Sequence, residues 1–152
     1  MPFQIELEDP RIGFASAHFI VDHKKCGKIH GHNYFLKVTL TGDLDEHHMI
    51  LDYALLKAEL RKLTKKLDHK VLLATQAKNL EIDEREESVI IRAKNKRYVI
   101  PKVDVILLPI PATTAEELAK YFHKKIKTLW PDFQVTTEIE ESPGARAIYR
   151  DP

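Results

Sequence analysis

The stretch Cys26-Gly27-Lys28-Ile29-His30-Gly31-His32-Asn33-Tyr34-Phe35-Leu36-Lys37-Val38-Thr39-Leu40 decides how this chain is read. From His30 onward the even positions are His30, His32, Tyr34, Leu36, Val38 and Leu40, while Phe35, Lys37, Thr39 and Thr41 take the odd ones. Side chains alternate across a strand, so His30 and His32 share the face that carries the apolar residues. The run before it behaves alike: Ile12, Phe14, Ser16, His18 and Ile20 have one parity. Two histidines at i and i+2, with a third on a neighbouring strand, can converge on one point, and no fourth histidine lies on either face. Three protein nitrogens with one position left for water or substrate is the arrangement of an open zinc site. The alternative is a set of core histidines satisfied by backbone, which three converging imidazoles with a thiol nearby disfavour.

Working outward, residues 3–7 and 12–20 read as two half-buried strands, and 32–41 as a long strand closed by Gly42. Tyr53, Leu56, Leu60, Leu63 and Leu67 then step by three and four, which predicts an amphipathic helix over about 51–67 that stops at Asp68-His69. Val89-Ile90-Ile91 and Tyr98-Val99-Ile100 flank Lys94-Asn95-Lys96, the tip of a hairpin insertion at about 78–103, and Val103 to Leu108 is a further apolar run. Thr113 with Glu116 three residues on reads as a capping box that opens a second helix. Its buried stripe is Ala115, Leu118, Ala119, Phe122, Ile126 and Leu129, and Trp130-Pro131 ends it. A last alternating strand covers 133–141, followed by a Ser142-Pro143-Gly144 turn and a short Ala147-Ile148-Tyr149 end. Strands without intervening crossovers pair antiparallel, and two helices can cover only one face of the sheet. The fold class expected is therefore α+β.

The length of 152 residues suits one domain spanning 1–152. Twenty-four basic residues against 23 acidic ones leave no overall field to recruit nucleic acid or an anionic membrane. The longest apolar runs fall far short of a bilayer span, and no charged-then-apolar leader is visible. A single cysteine excludes an intramolecular disulfide and suits a reducing compartment, so a cytoplasmic protein is expected.

Several side chains are candidates for chemistry. Cys26, near a bound Zn²⁺ and beside Lys24 and Lys25, could act as a thiolate base or nucleophile. Two alternatives compete with this: a fourth ligand closing a structural zinc, or an inert loop thiol. Asp68-His69, at a helix end, can serve as a dipole cap or as a proton-transfer pair. Glu141 has the parity of Val135, Thr137 and Ile139, so its carboxylate faces inward and needs donors. The edge of a guanine-like or pterin-like ring offers two N–H groups side by side; the alternative is a strand-end glutamate turning into water. Capping by itself accounts for Glu116. His23, His47, His48 and His123 have no converging partners and are expected at the surface.

Taken together, Phe14-Ala15-Ser16-Ala17-His18, Cys26 through Tyr34, Leu67-Asp68-His69-Lys70, Thr113-Thr114-Ala115-Glu116 and Glu141 resemble the 6-pyruvoyl-tetrahydropterin synthase / 6-carboxy-tetrahydropterin synthase family, in the family's order and over most of the chain. The resemblance implies that His18, His30 and His32 bind zinc and that Cys26 with Asp68 and His69 moves protons. It also implies that Glu141 anchors a pterin ring, assisted by Thr114, Ala115 and Glu116. The three residues between Cys26 and His30 resemble the carboxy branch, which serves deazaguanine nucleoside synthesis. That branch converts 7,8-dihydroneopterin triphosphate to 6-carboxy-5,6,7,8-tetrahydropterin with loss of acetaldehyde and triphosphate, whereas the pyruvoyl branch eliminates triphosphate alone. A non-catalytic pterin-binding protein with a structural zinc is the alternative of another class. The family's architecture is a tunnelling fold (T-fold), in which antiparallel sheets of several subunits close into a barrel, with a hexamer of two stacked trimers implied.

Overall fold

The computed structural model describes residues 1–152. Its strands are β1 (Phe3–His18), β2 (His30–Gly42), β3 (Lys70–Ala74), β4 (Leu80–Glu84), β5 (Ser88–Ala93), β6 (Lys96–Pro101), β7 (Val105–Leu108), β8 (Gln134–Ser142) and β9 (Ala145–Arg150). Two helices, α1 (Tyr53–Lys65) and α2 (Ala115–Leu129), are set between them. A six-stranded sheet has the order β7-β3-β1-β2-β8-β9, and β4, β5 and β6 form a separate three-stranded sheet.

The parity reading explains the core. Ile12 and Phe14 of β1, Tyr34, Leu36, Val38 and Leu40 of β2, and Val135 and Ile139 of β8 are all buried in one cluster with Leu56 and Leu60 of α1 and Leu118, Phe122 and Ile126 of α2. Both helices therefore cover the same face, because only that face is apolar. The opposite face carries Lys37 between Glu6 and Glu138, with Arg146 beside Glu138 and Glu140. No helix is long and apolar enough to cross a membrane.

Three features differ from expectation. The two strands expected at 3–7 and 12–20 are one strand, β1, with an irregularity between Glu8 and Gly13. Glu8 pairs with Lys37 but Gly13 pairs with Phe35, so three residues are extra on β1. An odd insertion flips parity, which is why Leu7 points inward before it and Ile12 after it. Pro10 sits in this bulge, where no ladder donor is needed, and Asp9 closes it by accepting from the Arg11 amide at 2.9 Å. Second, β3 pairs with β1 and β7 in parallel, since each connection crosses back over the sheet through α1 or through the β4–β6 segment. The remaining pairings are antiparallel. Third, the α2 cap lies one residue later: Thr114 is the N-cap and accepts from the Glu117 amide at 3.3 Å. The cap thus joins Thr114 to the Glu117 amide, not Thr113 to Glu116.

Candidate metal centre

In the β1–β2 ladder His18 pairs with His30, and Ser16 pairs with His32. The three imidazoles stand at the end of the strands where the apolar face gives way to polar side chains. Their ring centroids are 4.7, 5.1 and 5.0 Å apart, close to an equilateral triangle. One nitrogen from each lies within 4.8 Å of the others, so the three could hold a metal ion.

The hydrogen bonds of these rings test that fit. His18 Nδ1 lies 2.9 Å from the carbonyl oxygen of Thr113, and His30 Nδ1 lies 2.6 Å from that of Lys28. A carbonyl can only accept, so both Nδ1 atoms carry the proton and both Nε2 atoms present lone pairs. Those two Nε2 atoms face each other at 3.1 Å. Lone pairs at that distance repel unless a proton or a cation lies between them. Protonation is opposed at His18, whose pKa burial pushes down to about 4, with His30 and His32 adding repulsion against the Thr113 carbonyl's opposite effect. His32 Nε2 is buried and has no hydrogen-bond partner at all. An orphaned nitrogen on His32, beside two rings whose far sides are tied to carbonyls, is how histidine ligands are oriented towards a metal. The donor set fits a divalent ion.

Around the triad, Tyr34 is fully buried, stacked on Phe14 at 4.7 Å, with its hydroxyl 3.3 Å from His18 Nδ1. Burial, and then the Glu141 carboxylate, push the phenol well above its usual range, so it stays protonated. Thr113, freed from capping, places its hydroxyl 3.2 Å from His18 Nδ1 and donates to the Phe19 carbonyl at 3.3 Å. Sequence reasoning assigned Thr113 to the helix cap. The Thr-Thr pair was the available signal, since one N-cap leaves the other threonine free.

Glu141 follows its parity: it is half-buried, and its Oε1 lies 3.7 Å from His32 Nε2. Strand β8 pairs with β2, which is what carries this carboxylate to the histidines from far along the chain. Thr114 caps α2, Ala115 packs against the core, and Glu116 lies in the helix's first turn.

Cys26 occupies the loop between β1 and β2 and is half-buried. The loop is closed on itself: Ile20 donates to the Cys26 carbonyl at 2.7 Å, and the Cys26 amide donates to His23 Nδ1 at 3.0 Å. Gly27 is required there, because a β-carbon would come within 2.2 Å of the His23 carbonyl oxygen. The exposed His23 thus shapes the loop, a role its sequence position did not suggest.

Asp68 and His69 form a separate pair. Asp68 Oδ1 accepts from the Ala15 amide at 2.8 Å, and Oδ2 lies 2.9 Å from His69 Nδ1. The amide and the imidazole hold the Asp68 carboxyl below the usual range, so it remains ionised. His69 adopts a left-handed conformation with φ 58° and its ring is 82% exposed. His69 borders a cavity of about 490 Å³ lined by Ala15, Ala17, Gly31 and Asn33 together with Ser16 and His32 of the triad's parity. No hydrogen bond or ion pair joins the Asp68–His69 pair to the triad within the chain. His123, expected at the surface, is buried instead, with Nε2 2.8 Å from Asp151 Oδ1, because the C-terminal residues fold back over α2.

Fold and site together define a T-fold protein with a metal-capable histidine triad. The sequence pattern of the 6-pyruvoyl tetrahydropterin synthase family matches residues 10–152, and the chain belongs to that family. A Methanocaldococcus jannaschii protein provisionally named 6-carboxy-5,6,7,8-tetrahydropterin synthase is 35% identical over 144 residues, covering 90% of this chain and 88% of that one. The Haemophilus influenzae 6-carboxy-5,6,7,8-tetrahydropterin synthase is 28% identical, covering 82% of each. Among solved structures, Plasmodium vivax 6-pyruvoyl tetrahydropterin synthase superposes with a TM-score of 0.90 at 26% identity, covering 98% of this chain and 97% of that one.

Proposed function

We propose that the chain is a zinc-dependent lyase that converts 7,8-dihydroneopterin triphosphate to 6-carboxy-5,6,7,8-tetrahydropterin, releasing acetaldehyde and triphosphate, in the route to deazaguanine nucleosides such as queuosine and archaeosine. The observation that carries this reading is the convergence of His18, His30 and His32 beside Glu141, with the Nδ1 protons of His18 and His30 tied outward to carbonyls. The converging set contains the three imidazoles and not Cys26, which supports an open site over a thiol-closed structural one. A zinc ion held there would supply Lewis acidity to the side-chain oxygens of the substrate.

The residues divide the remaining work. Glu141 accepts the exocyclic amine and ring N–H of the pterin, and the start of α2 at Thr114, Ala115 and Glu116 borders the ring. Cys26 takes and returns protons along the side chain. Asp68, ionised and bonded to His69 Nδ1, leaves His69 Nε2 as the proton acceptor. Because no hydrogen bond or ion pair joins this pair to the triad of its own chain, it serves the site of a neighbouring subunit. The assembly in this reading is a cytoplasmic hexamer of two stacked trimers, with the pterin at a subunit boundary.

The names of the relatives support the carboxy product. The close likeness to the Plasmodium vivax structure favours a second reading, elimination of triphosphate alone. Product mass with acetaldehyde trapping separates them. Release of acetaldehyde, leaving one carbon of the side chain on the ring, is expected. A product that retains all three carbons overturns the carboxy assignment, and no turnover with zinc bound overturns both.

A further inference from the structure

The three-stranded sheet β4–β6 has no part in the metal centre, yet it meets the Cys26 loop at several points. Lys96, the first residue of β6, donates from Nζ to the Gly27 carbonyl at 3.0 Å. Asp22, at the start of the loop, accepts from Asn79 Nδ2 at 2.8 Å and pairs with Lys94 Nζ at 3.3 Å. These three residues all hold left-handed backbone, with φ of 64°, 62° and 53° for Asp22, Asn79 and Lys94. Such conformations persist where surrounding contacts over-determine them. Beneath the polar contacts, Phe19 stacks on Tyr98 at 5.3 Å. It is buried with Leu73, Val89, Ile91 and Ala93, with Val21 packed against them. A cavity of about 290 Å³ borders the same stem, lined in part by Phe19, Val21, Leu73, Leu80 and Thr113. Packing alone therefore leaves the stem room to move on that side.

We propose that the β4–β6 sheet is a clamp that sets the position of the Cys26 thiol, with Lys96 and Asp22 as positioning residues. Its consequence for turnover rests on the proposed proton-transfer role of Cys26. The clamp itself rests on the geometry above. Lys96 fastens the loop one residue after the cysteine, and Asp22 fastens it four residues before, so the thiol is held between two anchors. The Phe19–Tyr98 stack supports the stem that leads from His18 to Asp22, which ties the loop to the triad's own strand.

The test uses the full-length, zinc-loaded protein and compares K96M, K96R and D22N with the parent. Hydrogen exchange at residues 22–28 and alkylation of Cys26, the chain's only cysteine, by iodoacetamide read the loop directly. For K96M, exchange in that segment should rise about three- to tenfold, as loss of one charge-assisted bond near the surface implies. Its alkylation rate should shift by a similar factor. The kcat should fall several-fold with KM, zinc content and Tm retained, and K96R should restore it. D22N should move exchange in the same direction. Unchanged exchange and alkylation in K96M overturn the clamp, as does a joint loss of kcat, KM and Tm that K96R does not rescue. Shifted exchange and alkylation in a protein that never turns over dihydroneopterin triphosphate uphold the clamp and sink the proposed reaction instead.

Discussion

At His18, one ring shows how polar groups in a core can specify a binding centre rather than merely be tolerated. Its Nδ1 is satisfied by Thr113, while its Nε2 confronts the same atom of His30 at 3.1 Å. Burial keeps it neutral, so the lone pair is available to a cation at neutral pH. Glu141 adds a negative charge 3.7 Å from His32. Its proposed role leads to a sharp expectation. A carboxylate accepts two adjacent N–H groups at once, whereas glutamine turns a donor towards one of them. E141Q should weaken a bound pterin by about tenfold to a hundredfold, the loss of one charge-assisted hydrogen bond. Titration of a pterin analogue into both proteins measures it, with zinc content determined on the same samples. Equal affinities would place the pterin elsewhere.

At the scale of elements, positions of one or two residues decide what a segment can do. The bulge at Asp9 to Arg11 reverses the parity of β1 and so brings Ile12, Phe14, Ser16 and His18 onto the helix-covered face. Without it, an inward Leu7 would imply an outward His18. The α2 cap is equally local. Thr114 satisfies the amide of Glu117, while Thr113 turns to His18. T114A should therefore destabilise the protein by about 1 kcal/mol, the usual cost of a lost N-cap. T113V should leave α2 capped and disturb the His18 ring instead. Urea unfolding of both variants, with metal affinity alongside, distinguishes them. If T113V lowers stability as a lost cap would while T114A does not, the cap has been assigned to the wrong threonine.

For the whole molecule, the C-terminus acts as a fastening. Asp151 lies 2.8 Å from His123 Nε2, pairs with Lys127 Nζ at 3.2 Å and accepts from the Val135 amide at 2.9 Å. Burial raises this carboxyl, but the Val135 amide, Lys127 and His123 outweigh it, and the net pKa is depressed. A depressed folded-state pKa means stability that is present above the unfolded carboxyl value, near about 3.9, and lost as pH falls through it towards the folded value. D151N should cost about 1–2 kcal/mol at pH 7 and flatten the acid limb of a Tm-against-pH curve. An acid limb identical to the parent's would count against this fastening. On assembly, β7 and β9 are the open edges of the six-stranded sheet, and a neighbour's strand can pair with them. Light scattering at micromolar concentration should give a hexamer. A fully active monomer would refute the proposed subunit-boundary site.

Sequence by itself determined what depends on local period and residue chemistry. The shared parity of His30 and His32, the inward Glu141, and the two helical stripes were all legible, because a strand's alternation and a helix's turn are properties of the backbone within a few residues. The resemblance of the motifs pointed to the family that the comparisons then identified. Tertiary structure alone decided what depends on partners distant in sequence. The parallel pairing of β3 with β1 and β7 is invisible to local periodicity, because it is set by how crossovers pack. So is the burial of His123, which follows from a residue twenty-eight positions later folding over it. The placement of Asp68–His69 is of the same kind, because Asp68 binds the Ala15 backbone, and a strand's amides lie in the sheet plane, independent of side-chain parity. The clamp on the Cys26 loop required Asp22, Asn79, Lys94 and Lys96 to meet, and only the folded chain brings them together.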